Sequence, residues 1–290
     1  MELLLKHSWL AEGVLFGVKS REIYNFRPTL ILTSTQNPLV KQVRRLHQAK
    51  ERQQAQAFLI EGTHLLQEAF AVQHPLQLVC ATEAWQQHHP ALWQQAIEQV
   101  PRTELVTEKV LAAMATTVTP DGVIAVAERT SNSLPSLTGK LVLALDRLQD
   151  PGNLGTAIRS AAAAGADGIW TSADSVDLDH PKVLRASAGQ WFRLPMAKTD
   201  DLLELAQVYR SNGSQIIATG MTAAVDYWQI DFTQPTFVLL GNEGQGLSAE
   251  LMAMADRLVK IPMQPTVESL NVSITAALIL YESRRQNHLL

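Results

Sequence analysis

Four short runs in the second half of the chain are apolar almost from end to end: KLVLAL at 140–145, GIWT at 168–171, QIIAT at 215–219 and TFVLL at 236–240. A strand with one face in water alternates apolar and polar residues; these do not, so both faces are covered. Helical patterns lie between and after them: Asn153 to Ala164 closed by Gly165, Pro181 to Ala188, Leu202 to Ser211, Ser248 to Ala255 and Asn271 to Gln286. Leu258 to Ile261 adds a short strand. Buried strands separated by helices predict an α/β fold, a parallel sheet with helices on both faces.

The first half repeats the alternation on a smaller scale. Asn37-Pro38 starts a helix, with Asn as cap and Pro as first helical residue. Leu39, Val43 and Leu46 give it an apolar stripe, and Lys41, Arg44, Arg45, Lys50 and Arg52 load its remaining surface with positive charge. Strands are expected at Phe58–Ile60, Leu76 to Ala81, Glu104 to Thr107 and Gly122 to Glu128, and helices at Thr63 to Val72, Pro90 to Val100 and Glu108 to Met114. The polar segment Arg129 to Gly139, RTSNSLPSLTG, is the best linker between the two units. Residues 1–29 join neither unit; a loosely docked helix, a disordered arm and translated sequence upstream of the native start all stay open.

Composition narrows the classes. At 290 residues with 46% hydrophobic and 18% charged side chains, the chain is globular, and its net charge of −4 gives no global case for nucleic acid while permitting a local basic face. One cysteine, Cys80, excludes an internal disulfide framework and cysteine-based zinc sites; in the run LQLVCAT it reads as a buried, inert thiol. No window approaches the roughly 18 apolar residues of a membrane span. The first residues lack the order of a signal peptide, so a cytoplasmic protein is expected.

Three polar clusters follow strands of the second unit, where open α/β sheets place ligands. In DRLQDPGNLGTAIR (146–159), Asn153 could cap the helix, Gly155 permits close approach, and Arg159 projects from an otherwise apolar helix. In FVLLGNEGQGL (237–247), Gly241, Gly244 and Gly246 suggest a bare-backbone wall around a flat ligand. No Lys follows, so this is not a phosphate-cradling loop, and Glu243 suits a cation or ribose hydroxyls better than a phosphate. In IPMQPTVESLNVS (261–273), Glu268, Ser269, Asn271 and Ser273 crowd a helix start that needs only one cap, from Asn271 or Ser269. Each cluster alone is also what a capped helix or a tight turn looks like.

Together the three resemble the ordered motifs of the SpoU (TrmH-like) family of RNA ribose 2′-O-methyltransferases: N-x-G-x-x-x-R, G-x-E-x-x-G and a proline-led E-S-L-N-V-S. The chain departs at Gln264-Pro265-Thr266, where the family commonly has a glycine. The resemblance implies a domain at 141–290 with a deep C-terminal trefoil knot, a 131–140 linker, and at 30–130 a smaller L30e-like RNA-binding α/β domain. It implies S-adenosyl-L-methionine as cofactor, contacting Thr219, Gly220, Leu240, Gly241, Asn242, Ile261, Met263 and Leu270. It further implies a homodimer, with Arg159 acting on a nucleotide presented near the partner's cofactor. Arg159 is the base in the family's scheme; because a guanidinium stays charged, holding a phosphate and stabilising an alkoxide suits it better. Asn153, Glu243, Ser269 and Asn271 would orient Arg159 and the ribose, and no metal is called for. Lys41, Arg44, Arg45 and Arg52 would meet RNA backbone. Ribosomal RNA, 23S in particular, is the expected substrate; tRNA and a non-catalytic RNA-binding role are the alternatives. A dinucleotide-dependent enzyme would need a glycine-rich turn after the first strand of the unit, and Leu145 onward does not supply it.

Overall fold

The computed structural model describes residues 31–130, 133–220, 223–242 and 244–287. The 1–29 extension therefore lies outside the described residues, as does Glu243.

The amino-terminal unit runs α1 (Pro38–Arg45), α2 (Ala49–Ala55), β1 (Ala57–Glu61), α3 (Thr63–Ala71), β2 (Leu76–Ala81), α4 (Glu83–His88), α5 (Pro90–Gln99), β3 (Thr103–Leu105), α6 (Glu108–Met114) and β4 (Val123–Glu128). Its sheet has the order β1-β4-β2-β3, with β4 antiparallel to both neighbours and β2 parallel to β3. Asn37 caps α1 as its sequence predicts, accepting from Leu39 N–H at 2.9 Å. The basic helix is not continuous, however. It breaks after Arg45, and α2 ends at Gln56 in the left-handed region (φ 48°). Leu39, Val40, Val43 and Leu46 pack with Leu59, Leu78 and Cys80 on one face of the sheet. Burial pushes the Cys80 thiol up to about 12, which matches the inert reading.

The second unit runs β5 (Leu141–Leu145), α7 (Pro151–Ala164), β6 (Gly168–Ser172), α8 (Pro181–Ala186), β7 (Met196–Thr199), α9 (Leu202–Ser211), β8 (Gln215–Thr219), β9 (Val225–Asp226), β10 (Thr236–Leu240), α10 (Ala249–Met254), β11 (Arg257–Lys260) and α11 (Val272–Gln286). All seven strands are parallel, in the order β7-β6-β5-β10-β8-β11-β9. Pleating divides each strand between two cores. Val142 and Ala144 face Tyr209, Leu251 and Phe237's neighbours under α9 and α10. Leu143 and Leu145 face Leu154, Ile158 and Leu280 under α7 and α11. After β11, near one flank of the sheet, the chain returns to lay α11 against α7 and β5.

The second core does not stop at the unit boundary. It continues into Phe58, Ile60 and Leu65 of the first unit. Phe58 packs on Trp191 with ring centroids 4.8 Å apart, and β1 lies against α8. The linking segment is docked as well: Tyr209 Oη donates to the Ser136 carbonyl at 3.0 Å. Among the described residues no helix is long and apolar enough to cross a membrane, and no group of His, Cys, Asp or Glu could hold a metal ion.

Candidate active site

The three polar clusters follow the carboxyl ends of β5, β10 and β11. After β5, Asp150 caps α7, accepting from Asn153 N–H at 2.9 Å, and this bond holds its carboxyl below the usual range. The cap expected of Asn153 is thus made by a residue three positions earlier. Asn153 turns its side chain elsewhere: its Oδ1 accepts from Asn271 Nδ2 at 2.8 Å. Asn271 in turn caps α11, accepting from Ser273 N–H at 2.9 Å and Ser273 Oγ at 2.6 Å. Two residues 118 positions apart are therefore fixed together by the starts of two packed helices. Gly155 serves packing: a Cβ there would sit 2.5 Å from Ala186 Cβ and 2.6 Å from the Val183 carbonyl oxygen, so α7 and α8 cross at that point.

The glycine-rich turn after β10 is a tight loop. Asn242 and Gly246 exchange backbone bonds of 3.2 and 2.9 Å, and Asn242 Oδ1 accepts from Gly244 and Gln245 N–H at 2.8 and 3.1 Å. Gly246 holds φ 67°, the left-handed region that favours glycine. A Cβ on Gly241 would stand 2.2 Å from the Gly246 carbonyl carbon, so the turn closes only over a bare Cα. Gly244 and Gly246 are exposed, and beside Gly246 and Gly220 a Cβ would meet nothing within 4 Å. These positions present backbone outward.

The remaining cofactor candidates gather on the same edge. Leu240–Asn242 leave β10, Thr219-Gly220 leave β8 and Ile261 leaves β11, three strands adjacent in the sheet. Gly220 N–H donates to the Val259 carbonyl at 3.0 Å. Leu240 is buried, Thr219, Ile261 and Leu270 are half-buried, and Met263 and Ser269 are exposed. Arg159 is exposed on α7, six residues and so about 9 Å along the axis from Asn153. Within one chain Asn153 and Asn271 meet, while Arg159 stands apart from them.

Lys41, Arg44 and Arg45 are exposed on α1. Arg52 is a correction: it is 1% exposed and cannot reach RNA. Its Nη2 lies 2.8 Å from Asp177 Oδ2 and its Nε 2.9 Å from Asp179 Oδ1, both in the second unit. Nη1 donates to the Leu46 and His47 carbonyls at 3.1 Å, the broken end of the first helix. Arg129 completes the cluster, 3.3 Å from Asp177 and 2.9 Å from Asp179 Oδ2, the latter an ion pair without hydrogen-bond alignment. Burial and the charge of Asp177 push the Asp179 carboxyl up to about 6. A basic run on an amphipathic pattern gave no sign of this, because the acidic partners come 125 residues later. Arg147, visible in the first cluster but given no role, also proves to be tied to the glycine turn: its carbonyl accepts from Asn242 Nδ2 at 2.9 Å.

A parallel sheet covered on both faces, with glycine-bare loops and paired amides at its carboxyl edge, is the build of an α/β enzyme that binds its ligand at that edge. Residues 140–281 match the SpoU rRNA Methylase family, and residues 37–125 match the MRM3-like substrate binding domain. The chain is 48% identical over 256 residues to an uncharacterized tRNA/rRNA methyltransferase of Synechocystis, covering 88% of this chain and 93% of that one. It is 30% identical over 253 residues to the 23S rRNA (guanosine(2553)-2′-O)-methyltransferase RlmP of Bacillus subtilis, covering 87% and 98%. Its fold matches the AdoMet-bound rRNA methyltransferase of Sinorhizobium meliloti with a TM-score of 0.80 and 32% identity, over 90% of this chain and 99% of that one. The chain belongs to the SpoU rRNA methylase family.

Proposed function

We propose that this protein transfers a methyl group from S-adenosylmethionine to a ribose 2′-hydroxyl of ribosomal RNA, 23S rRNA in particular, and that it works in the cytoplasm. The observation that carries the reading is the junction of the three clusters at one sheet edge: Asn271 bonds Asn153 at 2.8 Å, and Asn242 of the glycine turn bonds the Arg147 carbonyl at 2.9 Å. Two relatives matched over nearly their whole length support it: RlmP of Bacillus subtilis is a 23S rRNA 2′-O-methyltransferase, and the Sinorhizobium meliloti rRNA methyltransferase holds AdoMet.

The residues fit the cofactor. Gly220 and Gly246 offer backbone with open space beside it, and the half-buried Ile261 and Leu270 add uncharged apolar side chains suited to a planar heterocycle, while the buried Leu240 would contribute only backbone. When bound, S-adenosylmethionine supplies an activated sulfonium methyl group. The chain supplies position and electrostatics. Thr219, Gly241, Asn242 and Met263 complete the contact set on the same loops. Asn153 and Asn271, held by each other, orient the ribose, with Ser269 and, from the glycine-rich motif, Glu243 as the further candidates for that task. Arg159, exposed and apart from this pair, acts from the partner subunit of a homodimer, where its guanidinium holds the adjacent phosphate and stabilises the developing alkoxide.

The proposal extends to architecture. Residues 30–130 form an L30e-like RNA-binding domain, 131–140 the linker and 141–290 the methyltransferase domain. The return of α11 across α7 supports a C-terminal trefoil knot. Lys41, Arg44 and Arg45 contact RNA phosphates, so reversing Arg44 and Arg45 to Glu lowers RNA affinity and flattens its salt dependence; an unchanged slope in filter binding refutes that surface.

The central test is Arg159→Ala. Calorimetry should show S-adenosylmethionine binding retained, while methyl transfer to rRNA falls by about 10²–10³-fold. An unchanged rate removes Arg159 from the reaction. Mapping 2′-O-methyl sites in total RNA with and without the gene identifies the substrate, and a site in tRNA would overturn the rRNA reading.

A further inference from the structure

We propose that Arg147 is a positioning residue that holds the cofactor turn in its binding shape by tying together the ends of three adjacent strands. This rests on the cofactor reading of the glycine turn given above.

Arg147 follows β5, the strand between β6 and β10. Its backbone is left-handed, φ 53°, a conformation that costs a non-glycine residue free energy and persists only where the surroundings enforce it. The surroundings are specific on both sides. Toward β6, Arg147 N–H donates to Ser172 Oγ at 2.7 Å. Toward β10, its carbonyl accepts from Asn242 Nδ2 at 2.9 Å, and its guanidinium donates to Gln245 Oε1 and to the Gly246 carbonyl, each at 3.1 Å. Asp146 Oδ2 takes Nε at 3.0 Å and aims the fork.

These bonds join to β5 a loop otherwise fixed by its own Asn242 bonds. Gly244, Gln245 and Gly246 are exposed and carry almost no apolar anchor. Without the Arg147 side chain the turn keeps its internal Asn242–Gly246 pair and the Asn242 bond to the residue's carbonyl, but loses the guanidinium bonds to Gln245 and Gly246. The left-handed backbone is what makes the tie possible, because it sends N–H and C=O to opposite neighbours while the side chain reaches over the turn. Lysine cannot substitute: one ammonium cannot span Asp146, Gln245 and the Gly246 carbonyl as a planar fork does.

The experiment compares Arg147→Gly and Arg147→Lys with Arg210→Ala. Glycine accepts the left-handed backbone and removes only the side-chain bonds. Arg210 is a control at the opposite edge of the same sheet, where it pairs with Asp256 at 2.6 Å. Both Arg147 variants should raise the S-adenosylmethionine Kd in calorimetry by about tenfold or more, the loss expected for bonds to a charged group. KM for the cofactor should rise more than kcat falls, with RNA affinity held. Arg210→Ala should leave the cofactor Kd unchanged even where it lowers Tm. Wild-type cofactor affinity in Arg147→Gly overturns the proposal, as does an equal loss in Arg210→Ala. Failure of the unsubstituted protein to bind S-adenosylmethionine instead overturns the cofactor reading itself.

Discussion

At Gly241 a single methyl group decides whether the turn can close. A Cβ 2.2 Å from one backbone atom and 2.3 Å from the next has no flexible partner to push aside. Gly241→Ala should therefore cost at least about 1–3 kcal/mol as overpacking and weaken S-adenosylmethionine binding together with it. Denaturant unfolding alongside calorimetry checks both; a variant with wild-type values would mean the turn relaxes freely. The glycine spacing was legible from the sequence because bare backbone is its own signal. So was a cap from Asn271 or Ser269, and it is Asn271 that makes it. The division of labour between Asp150 and Asn153 was not. Both can cap a helix, and only the distant Asn271 decides which one is diverted.

Helix α2 shows where element-level reading ends. Its amphipathic neighbour α1 follows from its own period, and Lys41, Arg44 and Arg45 lie exposed as that period requires. The break after Arg45 carries no Gly or Pro, so nothing local announced it. It places Arg52 inward, where two aspartates from another unit neutralise it. Arg52→Ala should destabilise the protein by about 3–5 kcal/mol, because it leaves the buried carboxylates Asp177 and Asp179 short of a partner. Chemical denaturation measures this, and a loss below about 1 kcal/mol would mean the cluster is hydrated and weak. The short α4, β7 and β9 also escaped the sequence pattern. At two to six residues they have few positions to show a period of their own.

On the scale of the whole molecule, α11 leaves an apolar face uncovered. Ile274 and Tyr281 are each 48% exposed and, with Tyr227, Ala277 and Leu278, line a shallow depression. In the homodimer proposed above, that face would be the one to pair. Ile274→Glu combined with Tyr281→Glu should give a monomer in light scattering, and methyl transfer should fall with it if Arg159 serves the partner's site. A dimer that survives both changes places the interface elsewhere. The parallel sheet itself was readable in advance, since runs such as LVLAL admit no solvent face; the shared core between the units was not, because it joins Phe58 to Trp191 across nearly half of the sequence. The buried charge cluster has a consequence in time. Arg52 leaves the ribosome 125 residues ahead of Asp177. At about 5–20 residues per second, that is about 6–25 s of synthesis. Throughout that interval the two aspartates that pair with the guanidinium in the folded protein have not yet been made. The first half of the protein thus emerges early but settles late, its last step clocked by translation of the second.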